Sequence, residues 1–154
     1  MVIGLISDTH GLIRPVALAA LRDVELIVHA GDVGGGKVLA ELRRLVPVRA
    51  VYGNVDDPQD PDLENTIELD VDGVRVHVSH GHELGMPTPD RLLARYSADV
   101  IVYGHTHRAL VHRAGPRLVV NPGAAGPRRF NLKPSVALLT IENGDVDVTL
   151  QTLG

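Results

Sequence analysis

Five short polar clusters along this chain are built from residues that bind divalent ions. They are Asp8-Thr9-His10, Gly31-Asp32, Gly53-Asn54-Val55-Asp56, His80-Gly81-His82 and Gly104-His105-Thr106-His107. Their donors are carboxylate, amide and imidazole, which suit a hard or borderline ion such as Mn2+, Fe2+, Zn2+ or Mg2+. Cysteine is absent, so disulfides, thiolate metal sites and thiol nucleophiles are excluded. Taken singly, each cluster is weak, because an Asp-x-His at a strand end is often a capped turn. His105 and His107 are stronger: two apart on extended backbone, both rings would face one way, though a turn there would change that. A lone histidine is ordinarily a hydrogen-bonded structural residue. His29, His77 and His112 are read that way, since none joins a strand end to another candidate ligand in this order.

The elements around the clusters explain how they could meet. Residues 2–7 (VIGLIS), 25–30 (ELIVHA) and 48–53 (VRAVYG) are apolar, β-branched runs and read as buried strands. Residues 14–23 and 37–45 carry apolar side chains at helical spacing. This alternation indicates a parallel sheet. Residues 66–80 then read as a hairpin turning at Asp72-Gly73, and 88–97 as a helix capped by Thr88 with Pro89 in its first turn. A strand over 98–105 follows, then hairpins over 110–123 and 135–151, the latter turning at Asn143-Gly144. The expected fold is α/β, a four-layer α-β-β-α sandwich of two mixed β-sheets flanked by helices, with residues 1–154 as a single domain. In α/β sheets, ligands gather outside the carboxyl ends of strands. Five strand-like segments end in candidate ligands here, so distant clusters converge on one site.

Composition narrows the partners. Lys+Arg 15 against Asp+Glu 19 gives a net charge of −4, which argues against stable nucleic-acid binding. With no Trp and one Phe, a base-stacking platform is not expected either. A small phosphate ester stays compatible, because bound metal reverses the local field. The start MVIGLISDTH has no basic region before its apolar run, and no apolar stretch reaches membrane-spanning length. No signal peptide and no membrane association are expected, and the expected location is cytoplasmic.

"GDVGGGKV" (31–38) fits the G-x-x-x-x-G-K frame of a nucleotide-binding loop. That loop needs Ser or Thr after its Lys, and here Val38 follows. A carboxylate at Asp32 would also repel the phosphates. The segment is therefore read as a metal ligand followed by glycines that turn the chain into a helix, with Lys37 solvated.

In this order, "DTH", "GD", "GN-D", "HGH" and "GHTH" resemble the calcineurin-like metallophosphoesterases. The short length, "GNVD" instead of "GNHD", and "NPGAAGPRR" over 121–129 are most similar to the small bacterial and archaeal phosphodiesterase branch, which is Vps29-related. The resemblance runs from Met1 to Arg129, and the final hairpin is compatible with it. It implies two divalent ions side by side. Asp8, His10, Asp32 and His107 would hold one, and Asp32, Asn54, His80 and His105 the other. Two dications ~3.5–4 Å apart repel, so an anionic bridge is needed, and Asp32 would supply it. The implied activity is hydrolysis of a phosphodiester through this dinuclear centre and a hydroxide bridging the ions. Mn2+ is the first choice of metal, with Fe2+, Zn2+, Ni2+ or Co2+ as alternatives.

His82 would donate a proton or orient a ligand, and Asp56 would orient a ligand. Asn54 and Arg128, the latter beside Arg129, would reach the substrate. Thr9, Thr106 and Asn121 would position ligands or loops. Two other functions fit the same resemblance: a Vps29-like scaffold that binds proteins, and a phosphomonoesterase. A pure scaffold has no need of seven ligands in register, and this chain retains all seven.

Val55 stands where many members of this family carry His, and it cannot donate a proton to a leaving group. Esters with acidic leaving groups should therefore be favoured. Steady-state kinetics should give a higher kcat/KM for p-nitrophenyl than for alkyl phosphodiesters; equal values would remove the role assigned to position 55.

Overall fold

The computed structural model describes residues 1–129 and 131–154. Its elements, in order, are β1 (Val2–Ile6), α1 (Pro15–Leu21), β2 (Leu26–His29), α2 (Gly36–Arg43), β3 (Val48–Ala50), β4 (Ile67–Val71) and β5 (Val74–Val78). A short 3₁₀ turn at His82–Leu84 precedes α3 (Pro89–Arg95), β6 (Val100–Val102), β7 (Leu110–Ala114), β8 (Arg117–Asn121), β9 (Ser135–Glu142) and β10 (Asp145–Thr152).

Two mixed five-stranded sheets form, in the orders β10-β9-β1-β2-β3 and β4-β5-β6-β8-β7. Each contains three consecutive parallel strands: β1, β2 and β3 at one end of the first sheet, with antiparallel β9 and β10 beyond β1, and β5, β6 and β8 at the centre of the second, flanked by antiparallel β4 and β7. The expected class of fold is thus what the chain adopts.

Alternation of side chains builds the layers. Ile3, Leu5 and Val28 from the first sheet meet Val76, Val78, Val100, Val102 and Val120 from the second in one buried cluster. The opposite faces pack on helices: Ile6 and Ile27 lie with Ala17 and Leu21 of α1 and Val38, Leu39 and Leu42 of α2. Ile101 and Val119 pack with Leu92 of α3. The order of layers is therefore α1/α2, sheet, sheet, α3. With hardly any aromatic residues, the core relies on close-packed aliphatics, where each lost methylene is felt.

Local chemistry sets the turns. Asp72 and Gly73, at φ 50° and 82°, and Asn143 and Gly144, at 53° and 82°, make the tight left-handed turns expected of such pairs. Thr88 Oγ1 accepts from the Arg91 N–H at 3.3 Å and caps α3. Lys37 is exposed on α2. No helix among the described residues is long and apolar enough to cross a membrane.

Several elements are shorter than their sequence patterns. The run 48–53 yields a strand only to Ala50: Val51 still donates to His29 O at 3.0 Å but also bridges to Glu64, and the chain then turns. The run 98–105 yields only Val100–Val102, because Gly104 must bend toward Asp8. In both, the pattern overruns where the chain leaves the sheet to build the site.

Leu139 is fully buried at the centre of the inter-sheet core, whereas Leu150 on edge strand β10 is 38 % exposed. Leu139→Ala should cost about 2–5 kcal/mol of unfolding free energy in urea titrations, and Leu150→Ala about 0.5 kcal/mol or less. Comparable losses would contradict this layering.

Candidate metal centre

The six parallel strands all point their carboxyl ends toward one region. Asp8 and His10 follow β1, Asp32 follows β2, Asn54 follows β3, His80 follows β5, and His105 and His107 follow β6. Two groups of donors result. Asp8, His10 and His107 offer atoms within 4.8 Å of one another, and so do Asp32, His80 and His105. Asn54 joins the second group, its Oδ1 lying 3.1 Å from His80 Nε2.

Asp8 is fully buried. Its Oδ2 accepts from Ser7 Oγ at 2.6 Å and from the His105 N–H at 3.1 Å. Its Oδ1 has no hydrogen-bond partner and lies 3.4 Å from His107 Nε2 and 3.9 Å from His10 Nε2. Asp32 repeats the arrangement. Its Oδ1 accepts from the Val55 N–H at 3.0 Å, while Oδ2 lies 3.2 Å from His80 Nε2 and 3.7 Å from His10 Nε2. One oxygen of Asp32 thus faces a histidine of each group.

Burial pushes both carboxyls up, but their partners outweigh it. The nearby His107 ring, the charge of His80 and the Ser7 hydroxyl bring Asp8 below its ordinary value, and His80 and the Val55 N–H bring Asp32 to about 2. Burial lowers His10, His105 and His82. Burial would lower His80 too, but the facing carboxylates raise it overall. Its Nδ1 donates to the Ala30 carbonyl at 2.8 Å, which leaves Nε2 aimed at the centre. Carboxylates held low by their partners and imidazoles aimed at the same space form a donor set suited to a metal ion.

The backbone is bent to make this set. Asp8, His10, Asp32, His105 and His107 have φ of 54°, 47°, 53°, 71° and 64°. Left-handed backbone costs an L-residue about 1–2 kcal/mol. Such strain persists where surroundings over-determine it, commonly at functional sites. Here the surroundings are cross-loop hydrogen bonds: Asp8 N–H to Gly31 O at 2.9 Å, His10 N–H to Asp32 O at 3.0 Å, and Gly104 N–H to His80 O at 3.0 Å. Two glycines are required by contact. A Cβ at Gly53 would strike the Asp32 carboxylate, and one at Gly104 would lie 2.6 Å from Asp8 Oδ2.

Other residues singled out in the sequence take varied places. His82 lies beside the second group, its ring centroid 5.3 Å from that of His80 and 6.4 Å from that of His105. Asp56 does not face the donors. It accepts from the N–H groups of Val33, Gly34 and Gly53 at 2.9–3.0 Å and staples one ligand loop to another. Asn121 Nδ2 donates to Gly104 O at 3.1 Å and Thr106 Oγ1 at 3.0 Å, fixing the loop that carries His105 and His107. Arg128 is exposed, and it is the charge of Arg129 that acts on His10.

Two contributors, Ser7 and Glu83, had no sequence signal beyond ordinary polarity. Ser7 holds Asp8. Glu83 accepts from Tyr96 Oη at 2.6 Å and from the Gly81 N–H at 2.9 Å, fixing the turn that carries His82. His29 has the structural role expected of it and something more. Its Nδ1 accepts from the Gly31 N–H at 3.1 Å, so Nε2 bears the proton and donates to Thr9 Oγ1 at 2.9 Å. Thr9 in turn donates to Val33 O at 2.7 Å. This chain binds the first two ligand loops together.

Comparison with known proteins gives a consistent result. The family model of the calcineurin-like phosphoesterase superfamily domain matches residues 1–144. A probable metallophosphoesterase of Methanothermobacter thermautotrophicus is 34% identical, covering 100% of this chain and 94% of its own. A phosphodiesterase of Methanocaldococcus jannaschii is 29% identical over 80% of this chain and 83% of its own. Among solved structures, Vps29 from Entamoeba histolytica in complex with Zn2+ superposes with a TM-score of 0.80 at 24% identity, covering all of both chains; that likeness is one of fold.

Burial holds His29 neutral in the fold, with its pKa down from 6.5 to about 4. Above pH ~6.5 it is neutral in folded and unfolded chains alike and has no effect. As pH falls from ~6.5 to ~4 the unfolded chain takes up a proton that the folded one does not, and stability drops by about 3 kcal/mol. In metal-free protein, urea titrations across this window should give a flatter profile for His29→Asn than for the wild type. Parallel profiles would show that His29 is not held neutral.

Proposed function

The chain belongs to the calcineurin-like phosphoesterase superfamily, and from that premise we propose that it is a metal-dependent phosphodiesterase. In this reading Asp8, His10, Asp32 and His107 hold one divalent ion, Asp32, Asn54, His80 and His105 hold a second, and Asp32 bridges them. The observation that carries it is the position of Asp32 Oδ2, 3.7 Å from His10 Nε2 and 3.2 Å from His80 Nε2, with the other oxygen occupied by the backbone. The buried Asp8 Oδ1 and His10 Nε2, neither with a hydrogen-bond partner, support it. A buried carboxylate oxygen left unpartnered is costly unless a cation completes it. Oxygen and imidazole donors suit Mn2+ first, then Fe2+ or Zn2+.

Two such ions supply Lewis acidity, which lowers the pKa of a water nucleophile and offsets charge gathering at phosphorus. The protein's residues do the rest. Ser7, Val55 N–H and the Ala30 carbonyl fix Asp8, Asp32 and His80 so that each presents one atom to the centre. Asn54 turns its Oδ1 inward, which leaves its amide N–H groups for a phosphate oxygen. His82, half-exposed beside Asn54's partner His80, is the nearest additional imidazole and takes the part of proton donor or ligand-orienting residue. Arg129 acts on the same phosphate oxygens, with Arg128 next to it.

A protein-binding scaffold on this fold needs no unpartnered, inward-aimed donors, and the donor geometry favours the enzyme.

Metal-stripped protein should be inert toward bis-p-nitrophenyl phosphate, and Mn2+ should restore hydrolysis. Asp32→Asn should remove one charge from the bridge and lower kcat/KM by at least about a hundredfold. The monoester p-nitrophenyl phosphate, run in parallel, should be the poorer substrate. A mutant as active as wild type would refute the bridging role, and failure of every divalent ion tried would favour the scaffold.

A further inference from the structure

The surroundings of the metal centre are not symmetric. A pocket of about 470 Å3 opens against His107. Ala109, Leu110 and Leu132 give it apolar walls, and Arg108 and Lys133 also line it. Both cations are exposed, and neither takes part in any ion pair among the described residues. A smaller hollow, about 190 Å3, lies by Val33 and Val55 and is lined by Asp56, Asp57 and Asp60. The chain as a whole is acidic, at −4, yet the space next to His107 is cationic.

We infer that the pocket against His107 receives one ester arm of the substrate, and that this arm is a ring-sized, largely apolar group bearing its own negative charge. The inference rests on the phosphodiesterase reading. A diester phosphorus held at the centre sends two arms outward. The pocket shares His107 with the centre, so an arm can enter it without leaving the phosphate behind. Its volume lies within the ~300–1,000 Å3 range of small-molecule pockets, far more than a methyl ester would fill. Apolar walls reward a ring in proportion to the area taken from water. The phosphate's own charge is answered at the centre, so Arg108 and Lys133 are left to answer a second anion. The carboxylates of the smaller hollow repel that anion and bias the substrate's orientation.

The test uses full-length, Mn2+-loaded protein and three p-nitrophenyl phosphodiesters. Their second arm is methyl, p-carbamoylphenyl or p-carboxyphenyl, and each kcat/KM is divided by the uncatalysed rate constant. The two aryl esters should exceed the methyl ester by about tenfold or more. The carboxylate should exceed its neutral carbamoyl isostere by roughly threefold to tenfold, a margin that shrinks with added salt. In the double variant Arg108→Glu, Lys133→Glu the carboxyl-to-carbamoyl ratio should fall below one. Ala109→Trp, at an exposed position, should lower the aryl-to-methyl ratio by filling the pocket. Ratios near one in the wild type, or ratios that neither variant changes, would overturn the subsite while leaving the phosphodiesterase reading in place. Absence of cleavage of all three esters would overturn that reading and this inference with it.

Discussion

Two ionised carboxylates share one small buried space, and much of the structure answers that fact. Asp8 and Asp32 each leave a single oxygen free at the same place, with His80 Nε2 3.8 Å from one and 3.2 Å from the other. Like charges so arranged repel, and burial weakens the solvent that would screen them. The fold responds on one side of each carboxylate with a hydroxyl or backbone N–H, and on the other with a ring of imidazoles. The raised pKa of His80, set by the facing carboxylates, is part of the same response.

Holding the donors there requires backbone that would not be chosen for stability. Five of the seven candidate ligands are left-handed and none is glycine. Each sits immediately beyond a strand, where the regular ladder has ended but cross-loop hydrogen bonds continue it. The same loops join the sheets: His105 N–H reaches Asp8 from the second sheet to the first, and His80 Nδ1 reaches the Ala30 carbonyl. The sandwich and the centre are thus one construction. The inter-sheet core presses the strand ends together, and the hydrogen bonds at those ends fix their register.

Much of this was legible in the sequence, for physical reasons. Strands of Val, Ile and Leu ending in Asp, Asn or His marked where the donors would emerge. Asp72-Gly73 and Asn143-Gly144 marked two hairpins, because few other pairs accept two successive positive φ angles. What was not legible depends on contacts between distant segments. Asp56 reads as a residue that orients a ligand, but its partners, three backbone N–H groups on the loops that carry Asp32 and Asn54, were not legible. Ser7 and His29 have no motif beyond their own neighbours. Arg128 and Arg129 are equivalent in sequence, and only the turn of the chain decides which charge acts on His10. The pocket against His107 joins residues 106–110 to Leu132 and Lys133, a meeting no local pattern announces.

The 53–56 segment shows why one altered position in a motif need not dismantle a centre. Gly53 is required because Asp32 occupies the space of its missing side chain. Asn54 contributes an inward oxygen, and Asp56 staples the loop. Residue 55 contributes its backbone N–H to Asp32 Oδ1, a bond that any residue except proline can make. The Val55 side chain is 56 % exposed and takes no part in that bond. Exchanging His for Val at this position leaves the donor geometry untouched and removes only a proton-bearing ring from the rim. Donor placement here is therefore carried by backbone and buried carboxylates, independent of the side chain at residue 55. The neighbouring imidazole of His82 is held at the rim by a turn that Glu83 and Tyr96 fix from outside the centre.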